Sequence, residues 1–130
     1  MANAIYPTFK ELIIGTGGVN LDTDTIKVAL VDTGTYTYSA AHDFYNDVSA
    51  GVVGTPQTIA SGVFDGDDVT FTSVTGNSVE ALVIYKDTGN VATSNLIAYI
   101  DTGVTGLPVT PNGGNISVSW SNGASKIFAI

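Results

Sequence analysis

The sequence predicts a mostly-β chain: an antiparallel β-sandwich, jelly-roll-like or immunoglobulin-like, of seven or eight strands with a short N-terminal helix. Three observations carry this. Apolar residues alternate or run in short blocks bounded by Gly, Pro, Asn and Asp. Those turn signals recur at roughly ten-residue spacing, the rhythm of sandwiches and barrels. The polar residues are chiefly Thr, Ser, Asn and Gly, with Glu, Lys and Arg scarce. That set suits strands and tight turns and disfavours long exposed helices.

The elements follow in chain order. NAIYPTFKELIIGTGG is the helix. Pro7 fits a first turn, where its missing N–H costs nothing. Phe9, Leu12 and Ile13 form one apolar stripe, and Gly15, Gly17 and Gly18 stop it. It is too short to be stable alone and must dock. LDTDTIKVALVDTGTY predicts a buried strand over 26–31, closed by Asp32-Thr33-Gly34. TYSAAHDFYNDVSAG reads as a loop holding one short helical turn, with Ser39 as its N-cap. VVGTPQTIASG holds a broken strand, and Pro56 places it at an edge. A turn at Asp65-Gly66-Asp67 leads into a strand over 69–74. In it Val69, Phe71 and Ser73 face one way and Thr70, Thr72 and Val74 the other. Later, TGVTGLPVTPNGGN is a connection in which Pro108 and Pro111 forbid a central strand. Asn112-Gly113-Gly114-Asn115 then marks a turn. ISVSW, a turn at Asn122-Gly123 and KIFAI close the chain as strands, with Ile116, Val118 and Trp120 sharing a face.

The hairpin VEALVIYKDTGNVATSNLIAYI poses a sharper question. Val79, Ala81, Val83 and Tyr85 lie on one face; Glu80, Leu82, Ile84 and Lys86 lie on the other, which is polar only at its ends. In the return strand Leu96, Ala98 and Ile100 share a face, opposite Ile97 and Tyr99. A half-exposed strand is polar along one whole side. This hairpin is therefore expected at the centre of its sheet with both faces buried. The second face is covered by the helix, by the other sheet or by another subunit, and cover from within the chain is the reading favoured.

Composition bounds the function. The 130 residues suit one domain, residues 1–130, long enough to bury a sizeable core. No long apolar run and no basic, apolar leader predict a spanning helix or a signal peptide. Cysteine is absent, so disulfide and thiolate chemistry are excluded. Charged residues are only 12%, against about 25% in an average domain. Lys10, Lys27, Lys86 and Lys126 are the only basic residues, and the formal net charge is −8. Such a chain lacks the basic footprint that nucleic acid or an anionic membrane requires.

Candidate chemistry is sparse. His42 could be grouped with Ser39 and Asp43, but they are local to one turn and no G-x-S-x-G elbow exists. A polar capping cluster is the favoured reading, and an enzyme is not expected. Asp22, Asp24, Asp65, Asp67 and Asp68 offer calcium-type oxygens. They lack the spacing and closing glutamate of an EF-hand, and Asp is also the favoured turn residue. Turns are preferred, and no cofactor or metal is assigned. Tyr36, Tyr38, Phe44 and Tyr45 surround the short helical turn; they form either a minor core under a long loop, the favoured reading, or a binding surface for carbohydrate or protein.

ANAIYPTFKE, DTIKVALVDTGTYTYSAAHDFYNDV, EALVIYKDTG with LIAYIDT, and LPVTPNGGNISVSWSNGASKIFAI together resemble a family of small tailed-bacteriophage virion proteins. The likeness spans nearly the whole chain and rests on no catalytic motif, so no functional residue carries over. It implies a capsid decoration (cement) protein on the outside of the head, partnered by the major capsid protein and assembled as a trimer or dimer. A negative chain suits the exterior, away from packaged DNA. Partner contacts are expected from the N-terminal arm, the Tyr-rich loop and the 104–114 loop: Tyr6, Phe9, Tyr36, Tyr38, Phe44, Tyr45 and Leu107. The alternatives are a head–tail connector, a tail or fibre component, and a carbohydrate or host-surface binding module.

Overall fold

The computed structural model describes residues 4–14, 25–59, 69–101 and 107–118. Among these residues seven strands form two antiparallel sheets, a sandwich that does not close into a barrel. The larger sheet has the order β1-β6-β5-β2-β3, from β1 (Ala4–Ile5), β2 (Ile26–Val31), β3 (Val52–Ile59), β5 (Ala81–Lys86) and β6 (Leu96–Ile100). The smaller pairs β4 (Val69–Phe71) with β7 (Ile116–Val118). One α-helix, α1 (Pro7–Ile14), and two single 3-10 turns at Tyr45–Asp47 and Ser49–Gly51 complete the elements of the described residues.

The expected helix begins at Pro7, and β2 and the edge position of β3 stand as expected. Gly54 takes φ +72° where β3 shifts register against β2, a conformation that Gly adopts without penalty. The two-residue β1 lies outside the sequence expectations. It pairs Ala4 with Tyr99 and Ile5 with Ala98, and Tyr6 N–H then donates to the Ile97 carbonyl at 3.0 Å. That pairing is tertiary and leaves no periodicity in two residues.

β5 and β6 are central, and ten of their eleven positions, Ala81 to Tyr85 and Leu96 to Ile100, are buried. Pairing fixes the faces. Tyr85 lies opposite Leu96, Val83 opposite Tyr99, and Ile84 opposite Ala98. One extra residue, Ile97, is accommodated by a bulge between the Ile84 and Tyr85 pairs. Leu96 therefore shares a face with Tyr99, not with Ala98 as strict alternation predicts. The front face carries Val83, Tyr85, Leu96 and Tyr99; the back carries Leu82, Ile84, Ala98 and Ile100, continued by Val28 and Leu30 of β2.

The front is covered by the 32–51 segment. Tyr36 and Tyr38 lie over Tyr99, with ring centroids at 6.3 and 5.5 Å, and Tyr45 stacks on Tyr85 at 4.3 Å. Tyr6, just before α1, packs on Tyr38 at 5.1 Å. This loop cover lies outside the sequence expectations, which concern the opposite face of Leu82 and Ile84; that face has the favoured cover from within the chain, by the other sheet. The back takes the smaller sheet. Val53, opposite Leu30, meets the 74–76 segment, and Phe71, Val74, Ile116 and Val118 join the same buried cluster.

Two local expectations are corrected. The helical turn is not capped by Ser39; its start is held by Asp47, whose Oδ2 accepts the N–H groups of Asp43 (3.1 Å) and Phe44 (3.4 Å). Strand β4 ends at Phe71 rather than 74, because Ser73 takes φ +51° with its N–H donated to Asn115 Oδ1 at 3.1 Å. That left-handed step turns Val74 inward, so Phe71 and Val74 are both buried. The expected 112–115 turn is present: Gly113 has φ +87° and Gly114 N–H donates to Asn112 Oδ1 at 2.9 Å. The expectations at Gly15, Gly17, Gly18, the 65–67 turn, Trp120, the Asn122-Gly123 turn and KIFAI lie outside the described residues.

Candidate functional site: an acidic tyrosine groove

At one end of the larger sheet, β2 runs into Asp32, β5 begins after Glu80 and β6 ends just before Asp101. Antiparallel pairing brings these ends together, Val31 opposite Ala81 and Leu82 opposite Ile100. An open groove of about 400 Å³ lies there. The half-buried Tyr38 gives it aromatic surface over a floor of the nearly buried Tyr36 and Tyr99, and Glu80 and Asp101 give it carboxylates. Thr33 and Thr37 add hydroxyls, and Pro108 bounds it from the 107–118 segment.

The walls are held by short-range bonds. Glu80 Oε1 accepts both the Thr33 N–H (3.1 Å) and the Thr33 hydroxyl (3.0 Å), tying the start of the loop to β5. Asp32 organises the turn beside it. Its Oδ1 accepts the Gly34 N–H at 2.9 Å, and its Oδ2 accepts the Thr35 hydroxyl at 2.9 Å and Asn77 Nδ2–H at 3.1 Å. These bonds, the Gly34 N–H foremost, hold the Asp32 carboxyl below the usual carboxylate range. The Asp32 N–H donates to the Gly51 carbonyl at 2.8 Å, closing the loop at its base.

The aromatic floor is tied together by hydrogen bonds. Tyr6 and Tyr36 share a hydrogen bond of 2.7 Å between hydroxyls, and Tyr36 Oη lies 2.9 Å from His42 Nδ1. Burial is the first cause that raises the phenol of Tyr99, pushed up to about 12. The negative charges of Asp101 and Glu80 act in the same direction. The groove therefore carries a negative potential against an aromatic floor.

Of the expected contact residues, Tyr6, Phe9 and Tyr36 are core side chains with no surface to present: the first two are fully buried and Tyr36 is 4% exposed. Tyr38 is half-buried and lines the groove. Phe44 and Tyr45 are half-buried and tied to the hairpin loop, through the Phe44–Asn95 bridge and the Tyr45 N–H to Ser94 carbonyl bond of 2.8 Å. Leu107 is half-buried against the main core beside Pro108. Tyr36, Tyr38 and Tyr45 thus sit as the minor-core reading places them. Glu80, Asp101, Thr33 and Thr37 escaped the sequence reading. A signal existed: Glu80 opens one apolar run and Asp101 closes the next, and the two ends meet in any hairpin.

His42, Ser39 and Asp43 are engaged locally rather than as a triad. His42 Nδ1 faces the Tyr36 hydroxyl, Ser39 Oγ accepts the Ala41 N–H at 3.2 Å, and the Asp43 carbonyl accepts the Leu96 N–H at 2.9 Å. Among the described residues no three His, Cys, Asp or Glu side chains gather as a metal site. Asp22, Asp24, Asp65, Asp67 and Asp68 lie outside them. Among the described residues no helix is long and apolar enough to cross a membrane. No family model, curated protein or solved structure matches the chain.

Proposed function

We propose that the protein is a non-enzymatic structural component of a tailed-bacteriophage virion, a decoration protein that binds the outside of the assembled capsid. The observation that carries this reading is the likeness of its four sequence segments, spread over nearly the whole chain, to small virion proteins. The architecture supports it. The sandwich buries both faces of its central hairpin with its own loop and second sheet, so it is a self-sufficient module that can dock onto a preformed lattice. The lone histidine is bonded to a core tyrosine. The net charge of −8 is repelled by packaged nucleic acid, which favours the outer surface. In this reading the major capsid protein is the partner and the copies associate as trimers or dimers.

Reconstitution tests it. Purified protein is added to expanded capsids that lack it, and bound protein is separated by sedimentation. Saturable binding, digestion of the bound protein by external protease and a raised capsid melting temperature are expected. Absence of binding, or protection of bound protein inside the shell, contradicts the proposal.

A further inference from the structure

We infer that the groove between the 33–38 loop and the ends of β5 and β6 receives the guanidinium group of an arginine presented by a partner protein. This deepens the capsid-binding reading by giving that contact a chemistry.

Four observations lead there. The volume, about 400 Å³, lies in the range of formed ligand sites rather than of packing defects. Among the described residues its lining combines the half-buried Tyr38 ring, above the nearly buried Tyr36 and Tyr99, with Glu80 and Asp101 and contains no basic side chain. Aromatic faces flanked by carboxylates attract organic cations through the ring quadrupole and direct ion pairing. The lysines of the larger sheet stand at its far end: Lys27 pairs in register with Tyr85, and Lys86 with Ile26. Six residue steps along the strand separate Lys86 from Glu80, roughly 20 Å at about 3.3 Å per residue, against a Debye length of about 8 Å at physiological ionic strength. Lys27 is moreover committed to Asp87 at 2.8 Å.

The choice of guanidinium over ammonium follows from the walls. A planar, weakly hydrated cation stacks on tyrosine and offers its in-plane N–H groups to carboxylates, whereas an ammonium sheds its water less readily. The choice of another protein over a second copy follows from composition: the chain contains no arginine.

The test uses the intact protein and ligand-side variants, so misfolding cannot confuse it. N-acetyl-arginine-N-methylamide is titrated at low salt while amide chemical shifts are followed by NMR. The N-acetyl-citrulline analogue (same shape, no charge), the lysine analogue and methyl β-glucoside are titrated in parallel at matched ionic strength. The arginine probe is expected to shift the amides of Thr33, Thr37, Tyr38 and Asp101 saturably, the lysine analogue more weakly, and the citrulline analogue and glucoside not at all. Glu80→Gln is expected to weaken the arginine response. No saturable arginine response, equal binding of citrulline, or saturation by the glucoside instead overturns the inference. Failure here leaves capsid binding testable by reconstitution, and arginine binding with failed reconstitution separates the groove from the capsid reading.

Discussion

The hydroxyls of Tyr6 and Tyr36 lie 2.7 Å apart inside the protein, and this one bond ties the entry to α1 to the loop that covers the front of the sheet. Tyr6 is fully buried, and Tyr36 is its hydrogen-bond partner among the described residues. Tyr36 has a second partner in His42 Nδ1. The two hydroxyls are therefore not equivalent. Tyr36→Phe strands a buried Tyr6 hydroxyl and is expected to cost about 1–3 kcal/mol. Tyr6→Phe leaves Tyr36 bonded to His42 and costs less, about 0.5–1.5 kcal/mol. The double variant is expected to cost less than Tyr36→Phe alone, since it removes the stranded hydroxyl as well. Urea unfolding of the three variants checks this; a larger loss for Tyr6→Phe would contradict it.

Gly51 sits where the loop returns to the sheet. A Cβ there would lie 2.7 Å from Tyr36 Cβ and 3.3 Å from the Asp32 carbonyl oxygen. Gly51→Ala is expected to destabilise by about 1–3 kcal/mol through overpacking and to displace the Tyr36 ring from Tyr99. Gly89 makes the contrast, with φ +84° and open space around it. Gly89→Ala is expected to cost about 1–2 kcal/mol from backbone conformation alone, with the aromatic NMR signals of Tyr36 and Tyr99 unmoved.

Alkali probes the tyrosine cover as a whole. Tyr6, Tyr36, Tyr45, Tyr85 and Tyr99 are all held above the ordinary phenol value, with burial the first cause in each. The folded state keeps these protons when the unfolded chain has lost them. Their stabilisation is complete below about pH 10 and is lost as pH rises from there through the folded values. The urea midpoint is expected to be lower at about pH 11 than at about pH 8, with phenolate absorbance appearing together with unfolding. An unchanged midpoint would contradict the buried placement of these rings.

The covering role of the 32–51 segment was the part of the fold least legible in the sequence. β2 was plain because Ile26, Val28 and Leu30 recur at period two and Asp32-Thr33-Gly34 ends the run. Pro56 located an edge for the same kind of local reason. The bulge at Ile97 and the left-handed Ser73 left no local mark, and each reversed the facing of the residues after it. The groove draws on residues 33, 36–38, 80, 99, 101 and 108, which only strand pairing brings together. Tyr36 and Tyr38 could be singled out as aromatic, but their division into core and groove wall depends on what Tyr6 and Tyr99 do.

At the far end of the sheet, the Asp87 carboxyl is held below the usual range, first by its bond to Lys27 and then by the Gly89 N–H. A depressed folded value stabilises above about pH 4 and is lost as pH falls through it. The pair is partly solvated, so its contribution is about 0–1 kcal/mol. Lys27→Met is expected to return the Asp87 titration toward the ordinary carboxylate range, read by carboxyl NMR, with a small change in the urea midpoint. An unmoved Asp87 titration would assign its depression to the Gly89 N–H alone.

The virion reading itself is tested most directly by counting. Quantitative mass spectrometry of purified particles gives the copy number of this protein against the major shell protein. The decoration role predicts an equimolar ratio or a simple fraction such as one third. A much smaller ratio, as for a connector or tail component, or absence from the particle, would contradict it.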